Sequence, residues 1–384
     1  MDVRRSFSRR QFMGGAATAL GYLGLKPGTE LFAAEADEAA RFPFARKLDD
    51  PYDSLAHLNS NENPWGPSKS VLEAMNGAWK YANRYGYPDG DIQSAIAEHH
   101  GVSRDHILMG AGSGELLKVV GLTFMSPGKK VIGVEPTYST VYRHATDLRA
   151  DAITLPLMED YRQNIPEMIR TIKINHRNVG FVFLCNPNNP TGITVTAAEV
   201  RQLLDNIPED VPVLVDEAYH HFVQDPSYAE SLPYVLEGRN VIITRTFSKI
   251  YGVAAMRLGY AIAKPELIDR MRPHSTGSVN ALVKWGGAAA LKDKEAEKWV
   301  LNKTVELREK MIAGVKSMGF DVLPSDTNFF MMHTVRPSSE FRSAFRERGV
   351  AVGRDFPPML DWLRVSVGNE EENERFMHAL QEIA

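Results

Sequence analysis

Lys249 stands in the run Thr246-Phe247-Ser248-Lys249-Ile250-Tyr251-Gly252, just past an apolar stretch of strand type, and Arg257 follows shortly after. A lysine leaving a strand among hydroxyls is a candidate for Schiff-base chemistry, because its amine is the nucleophile that carbonyl groups accept. Upstream, Val213-Leu214-Val215-Asp216-Glu217-Ala218-Tyr219 puts Asp216 at the C-terminal end of another apolar strand, where ligands of open α/β sheets bind. A carboxylate in that position calls for a cationic partner. Cys185-Asn186-Pro187-Asn188-Asn189-Pro190-Thr191-Gly192 closes a third strand with a rigid turn that holds an asparagine amide in a fixed direction. Gly112-Ser113-Gly114, ahead of a helical stretch, offers backbone N–H groups and the positive end of a helix dipole, which is an anion site.

These residues must be carried by an α/β scaffold. Strand-length apolar runs at 130–134, 180–184, 212–215, 240–244 and 258–262 alternate with stretches of helical period at 113–124, 197–206 and 295–318. Most of the strands are continuous rather than alternating, as expected where helices cover both faces of a mostly parallel sheet. Beyond the long helix, strand-like 328–332, helix-like 338–348 and strand-like 363–367 predict a separate, smaller α+β unit. The 384 residues, 43% hydrophobic and 24% charged, are enough for about two domains. A net charge of −4 without a basic cluster argues against nucleic acid as a partner. The single cysteine, Cys185, allows no internal disulfide and no thiolate metal site. The histidine pairs His99-His100 and His220-His221 do not follow metal-ligand spacing, and no metal is expected. Residues 1–36 read as a segment for delivery: Arg4, Arg5, Arg9 and Arg10 precede a weakly apolar run too short and too glycine-rich to span a bilayer, and Ala34-Glu35-Ala36 offers a cleavage site. Within it, Ser8-Arg9-Arg10-Gln11-Phe12-Met13 resembles the twin-arginine export motif, which predicts export by that machinery after folding in the cytoplasm, to the periplasm or beyond.

Taken together, the motifs resemble the fold-type I pyridoxal-phosphate enzymes, specifically class I/II aminotransferases of the histidinol-phosphate aminotransferase-like group. The landmarks fall in order over residues 55–370: Leu58-Asn59-Ser60-Asn61-Glu62-Asn63-Pro64-Trp65-Gly66-Pro67, Tyr87-Pro88-Asp89, Gly112-Ser113-Gly114-Glu115, Pro136-Thr137-Tyr138, the Asn186–Gly192 turn, the Asp216 strand, the Lys249 segment, Arg257 and Leu363-Arg364-Val365-Ser366-Val367-Gly368. The resemblance implies a large domain, 81–280, binding pyridoxal 5'-phosphate, and a small domain made of 37–80 and 281–384. It implies that Lys249 forms an aldimine with the cofactor and shuttles the proton, that Asp216 faces the pyridinium nitrogen, and that Asn189 and Tyr219 donate to the phenolic oxygen. Gly112, Ser113, Gly114, Thr246, Ser248 and Arg257 would hold the phosphate, Tyr138 would lie against the ring, and Tyr87 would reach the phosphate of a neighbouring subunit in a homodimer. Arg364 would grip the substrate's carboxylate, for which its two-donor fork is suited.

The expected reaction is a ping-pong transfer of an amino group from an amino acid or related amine to a 2-oxo acid. A decarboxylase, lyase, racemase or oxidase on the same fold, and a non-catalytic cofactor-binding protein, are the competing readings. Two features depart from the histidinol-phosphate branch. Its Gly-Val-x-Val-Arg segment is replaced by Gly349-Val350-Ala351-Val352-Gly353-Arg354, which shifts the arginine by one residue, and its usual Pro-Tyr approach before the Asn-Glu-Asn-Pro stretch is not clearly reproduced in Pro43-Phe44-Ala45-Arg46-Lys47. With export, these argue against histidinol phosphate as substrate. A substrate pocket of Asn63, Trp65, Arg354 and Phe356 is expected.

Overall fold

The computed structural model describes residues 51–142 and 151–384; the segment read as an export signal lies outside the described residues. The first strand, β1 (Ala56–Leu58), stands apart from the main sheet of β2 (Ile107–Gly110), β3 (Lys130–Glu135), β4 (Asp151–Pro156), β5 (Val179–Cys185), β6 (Val213–Asp216), β7 (Val241–Thr246) and β8 (Gly259–Ala263). Their spatial order is β2-β8-β7-β6-β5-β3-β4, and the sheet is parallel except for β8, which runs antiparallel to both neighbours. All positions of β5, β6 and β7 are buried. The pleat sends alternate side chains to opposite faces: Val182, Leu184, Val213 and Val215 join one apolar cluster, Phe181, Phe183, Leu214 and Ile242 another. Burial on both faces is why these strands read as unbroken apolar runs.

The helices that fix the site begin at defined residues. Helix α1 (Ser113–Phe124) starts directly after Gly112, whose φ of +79° sharply turns the chain leaving β2. Before β5 runs α2 (Ile165–Asn175), and α3 (Ala197–Asn206) starts with a capping box in which Thr196 and Glu199 each satisfy the other's backbone N–H. The long α4 (Lys294–Ser317) is capped by Asp293, which accepts from the N–H of Ala296.

Four short strands form two further sheets. β9 (Phe329–His333) pairs antiparallel with β11 (Trp362–Ser366), and β1 pairs in parallel with β10 (Val350–Val352), so strands from opposite ends of the described chain meet. Helices α5 (Ser338–Glu347) and α6 (Glu370–Ile383) close on each other through Phe345 and Phe376, stacked with ring centroids 4.9 Å apart. The strand β11 carries Arg364, which this arrangement brings to the mouth of the main sheet. Among the described residues no helix is long and apolar enough to cross a membrane, and no group of three or more His, Cys, Asp or Glu side chains is placed to hold a metal ion.

Candidate active site

Residues at the C-terminal ends of the parallel strands converge, as the topology of an open α/β sheet requires. Asp216 ends β6, Asn189 lies in the turn after β5, Thr246 ends β7 with Ser248 and Lys249 just beyond it, and Ser113 and Gly114 open α1. With Tyr138, Tyr219, Glu62 and Arg257 they line a cavity of about 200 Å3. A second cavity of about 630 Å3 shares Ser60, Tyr138, Asn189, Tyr219 and Lys249 and extends to Arg342, Arg354, Phe356 and Arg364.

Lys249 sits between the two. Its Nζ donates to the carbonyls of Ser60 (3.0 Å) and Asn61 (2.8 Å). Burial, with the nearby Arg364 guanidinium, lowers its amine to about 7, so a large fraction is unprotonated at neutral pH. Asp216 accepts from Thr244 Oγ1 at 3.0 Å, and burial raises its carboxyl to about 7. Such a group gains most from a cation brought beside it.

The Tyr219 hydroxyl accepts two amide donors, Asn61 Nδ2 at 3.0 Å and Asn189 Nδ2 at 3.2 Å. Asn189 Oδ1 in turn accepts from Arg364 Nη1 at 2.7 Å, and Arg364 Nη2 donates to the carbonyl of Asn59 at 2.6 Å. The third guanidinium nitrogen of Arg364, Nε, is buried without a partner. Burial lowers this guanidinium to about 10. An unspent donor on a buried cation is an anion-binding feature.

At the other wall, Thr246 Oγ1 donates to Ser248 Oγ at 2.8 Å, and Arg257 Nη1 reaches Ser248 Oγ at 3.3 Å. The Arg257 side chain fills the space that a Cβ on Gly112 would take: such an atom would lie 1.9 Å from Nη2. The helix start, two hydroxyls and a guanidinium thus face one cradle, a donor set suited to a phosphate dianion.

The structure brings together Ser113, Gly114, Tyr138, Asn189, Asp216, Tyr219, Thr246, Ser248, Lys249, Arg257 and Arg364, with Gly112 shaping the cradle behind them. Arg354 and Phe356 also line the larger cavity. The Arg354 guanidinium lies 4.3 Å from the centroid of the Phe356 ring, and Arg364 lies 4.9 Å from the same centroid. The one-residue shift of the arginine therefore leaves it at the cavity. The expected pocket is corrected at its other two members, which line neither cavity. Trp65 is buried in the core, edge-on to Trp299 at 5.1 Å, and Asn63 donates to the carbonyl of Ile250 at 2.9 Å while capping Trp65 N–H. Tyr87 also lines neither cavity of its own chain; its hydroxyl donates to the carbonyl of Val279 at 3.2 Å. The residue that reading the sequence missed is Asn61, which lies within a quoted motif and touches both Tyr219 and Lys249.

Residues 54–380 match the family Aminotransferase class I and II. The chain belongs to the class I and II aminotransferases. It is 36% identical over 333 residues to the histidinol-phosphate aminotransferase of Moorella thermoacetica, covering 85% of this chain and 84% of that one. Histidinol-phosphate aminotransferase from Sinorhizobium meliloti, solved in complex with pyridoxal-5'-phosphate, superposes with a TM-score of 0.78 at 25% identity, over 88% of this chain and 96% of that one. The L-threonine-O-3-phosphate decarboxylase of Porphyromonas gingivalis has the same fold, with a TM-score of 0.72 at 21% identity over 85% of this chain and 98% of that one. This aminotransferase is pyridoxal-phosphate-dependent and has the fold-type I architecture. The cradle below Gly112, the buried carboxyl of Asp216 and the low-lying amine of Lys249 fit that cofactor's phosphate, ring nitrogen and aldehyde in charge and chemistry.

Proposed function

We propose that Lys249 is the residue that holds the cofactor's aldehyde and moves the proton at the substrate's Cα, while Arg364 takes the anionic group beside the substrate amine. When bound, pyridoxal phosphate supplies an aldehyde that bonds to amines and a ring that accepts the electron pair released at Cα. Asp216 holds the ring nitrogen protonated, and Tyr219 and Asn189 direct donors at the phenolic oxygen. Gly112, Ser113, Gly114, Thr246, Ser248 and Arg257 hold the phosphate, with Tyr138 over the ring. Tyr87 serves the phosphate site of the neighbouring subunit in a homodimer. The chain divides into a small domain of 37–80 and 281–384 and a large domain of 81–280, of which 37–50 and 143–150 lie outside the described residues.

The observation that carries this reading is that Lys249 and Arg364 face one cavity, with Arg364 joined to Tyr219 through Asn189. An amine held by its neighbouring anion at Arg364 would present its Cα to Lys249. The donor is an L-amino acid and the acceptor a 2-oxo acid. A second reading, that the donor is histidinol phosphate, is favoured by Arg354: its guanidinium has no carboxylate partner within 4.0 Å among the described residues, because Asp355 is paired with Arg342. Two guanidiniums on one aromatic ring suit a doubly charged phosphate. Export of the folded protein rests on the Arg9-Arg10 motif and is tested by Arg9→Lys/Arg10→Lys, which should retain the protein in the cytoplasm.

The test is a donor panel of L-amino acids and histidinol phosphate, each with 2-oxoglutarate, reading glutamate, ammonia, peroxide and CO2. Glutamate formed in step with loss of an L-amino acid supports the first reading, and glutamate from histidinol phosphate alone supports the second. Ammonia, peroxide or CO2 without glutamate would move the reaction to a lyase, oxidase or decarboxylase. No spectral response to any amine would leave a binding protein.

A further inference from the structure

Asn61 is buried, with 1% of its surface exposed, yet it holds a φ of +53° in the left-handed region that side chains other than glycine seldom adopt. Backbone strain of this kind persists where the surroundings over-determine it. Every polar atom of Asn61 is engaged. Its N–H donates to Ser366 Oγ at 2.8 Å, its Oδ1 accepts from Ser366 Oγ at 2.9 Å, and its Nδ2 donates to the Tyr219 hydroxyl at 3.0 Å. Its carbonyl accepts from Lys249 Nζ at 2.8 Å and from Asn328 Nδ2 at 3.0 Å.

The direction of each amide follows from donor and acceptor chemistry. Arg364 can only donate, so Asn189 must turn Oδ1 to it and Nδ2 to Tyr219. The Ser366 hydroxyl occupies Asn61 Oδ1, which turns Asn61 Nδ2 to Tyr219 as well. The Tyr219 oxygen therefore receives two N–H donors, and its own proton is left to point into the cavity. A phenol whose oxygen accepts two hydrogen bonds is also the stronger donor, through cooperativity. Arg364 and Ser366 are two residues apart on β11, so one strand controls both amides.

We propose that Asn61, held by Ser366, is a positioning residue that aims the Tyr219 hydroxyl proton at the cofactor's phenolic oxygen. This rests on the assignment of Tyr219 and Lys249 to the cofactor made above. A donor to that oxygen competes with the proton that the oxygen otherwise shares with the cofactor-bound nitrogen of Lys249, so a weaker donor raises the pH at which the bound cofactor's visible band titrates.

The experiment is a spectrophotometric pH titration of that band in the holoenzyme and in Asn61→Gly, Ser366→Ala and Tyr219→Phe. Glycine keeps the positive φ and the carbonyl that Lys249 uses while deleting the amide. Ser366→Ala frees the amide without touching a strained position, and covers the case in which Asn61→Gly fails to fold. Both should raise the midpoint by about half a unit to one unit, a threefold to tenfold change in proton affinity, with the double variant no further shifted than Asn61→Gly alone. A purely structural role would lower the melting temperature and leave the midpoint in place. Midpoints unchanged in both variants, with Tyr219→Phe shifted, would overturn the assignment of Asn61. An unshifted Tyr219→Phe would overturn the cofactor reading beneath it.

Discussion

Lys249 and Asp216 show how burial prepares a residue for its work. Both are shifted toward the neutral form, the amine down and the carboxyl up, each to about 7, and for both burial is the leading cause. The shift has a sign that can be measured. Below pH 7 the amine is mostly ammonium and cannot attack an aldehyde, so the rate at which ligand-free protein captures pyridoxal phosphate should rise about tenfold per unit to a plateau above about pH 7. A solvated lysine would keep climbing toward about pH 10. In Asp216→Asn the inflection should persist at slightly lower pH, because losing a nearby carboxylate favours the uncharged amine, and stopped-flow absorbance reads both. Lys249→Ala should give no adduct at that position after borohydride reduction, and should lower turnover by about 10²–10⁴-fold.

The elements matter because they place these groups without further adjustment. The turn from β2 into α1 works only with glycine at 112, both for its φ of +79° and because a Cβ would displace Arg257 from Ser248 and the carbonyls of Ala254 and Ala111. Gly112→Ala should therefore weaken cofactor binding at least about tenfold, roughly 1.4 kcal/mol, by fluorescence titration. Thr196→Ala, which breaks the capping box of α3, should cost about 1 kcal/mol in denaturant unfolding and leave cofactor affinity unchanged, since α3 lends nothing to either cavity. The same physics explains what could be read in advance. Helices α1 and α3 were legible to their end residues because Gly112 and Thr196 are local stop-and-start signals. Strands β5, β6 and β7 were legible because burial on two faces leaves a continuous apolar run. Edge strand β4, Asp151-Ala152-Ile153-Thr154-Leu155-Pro156, buries only Leu155 and offers no such run, and β2 is four residues long. The antiparallel direction of β8 has no signature in its own residues. Asp216, Lys249 and Arg364 sit in recognisable motifs, whereas the part played by Asn61 depends on a backbone angle and on Ser366, 305 residues away. Trp65 and Asn63 share that motif yet turn inward, since nothing in the spacing separates residues that face a cavity from residues that face a core.

At the scale of the whole molecule, the homodimer proposed above predicts that two chains together complete each site. Tyr87 is spent on Val279 in its own chain and lines neither cavity, while Trp79 and Tyr85 nearby in sequence expose 62% and 105% of their surface. A large apolar side chain left in solvent is the kind of group that an association surface covers. If a second copy covers this one, Tyr87 acts across the interface, and subunit mixing can separate that from action within a chain. Lys249→Ala destroys its own site but keeps Tyr87, whereas Tyr87→Phe keeps its own Lys249 and weakens the site it serves. Action in trans gives the mixed dimer one intact site, built from the Lys249 of the Tyr87→Phe chain and the tyrosine of the Lys249→Ala chain. Co-expressed with two affinity tags and purified through both, that heterodimer should recover about half the wild-type turnover per dimer and a cofactor affinity equal to wild type at its single occupied site, against an affinity about tenfold weaker in the Tyr87→Phe homodimer. Action in cis would leave the heterodimer with the weakened affinity, because the only chain carrying Lys249 would then lack its tyrosine. A sedimentation mass of one chain at micromolar concentration would exclude the exchange altogether.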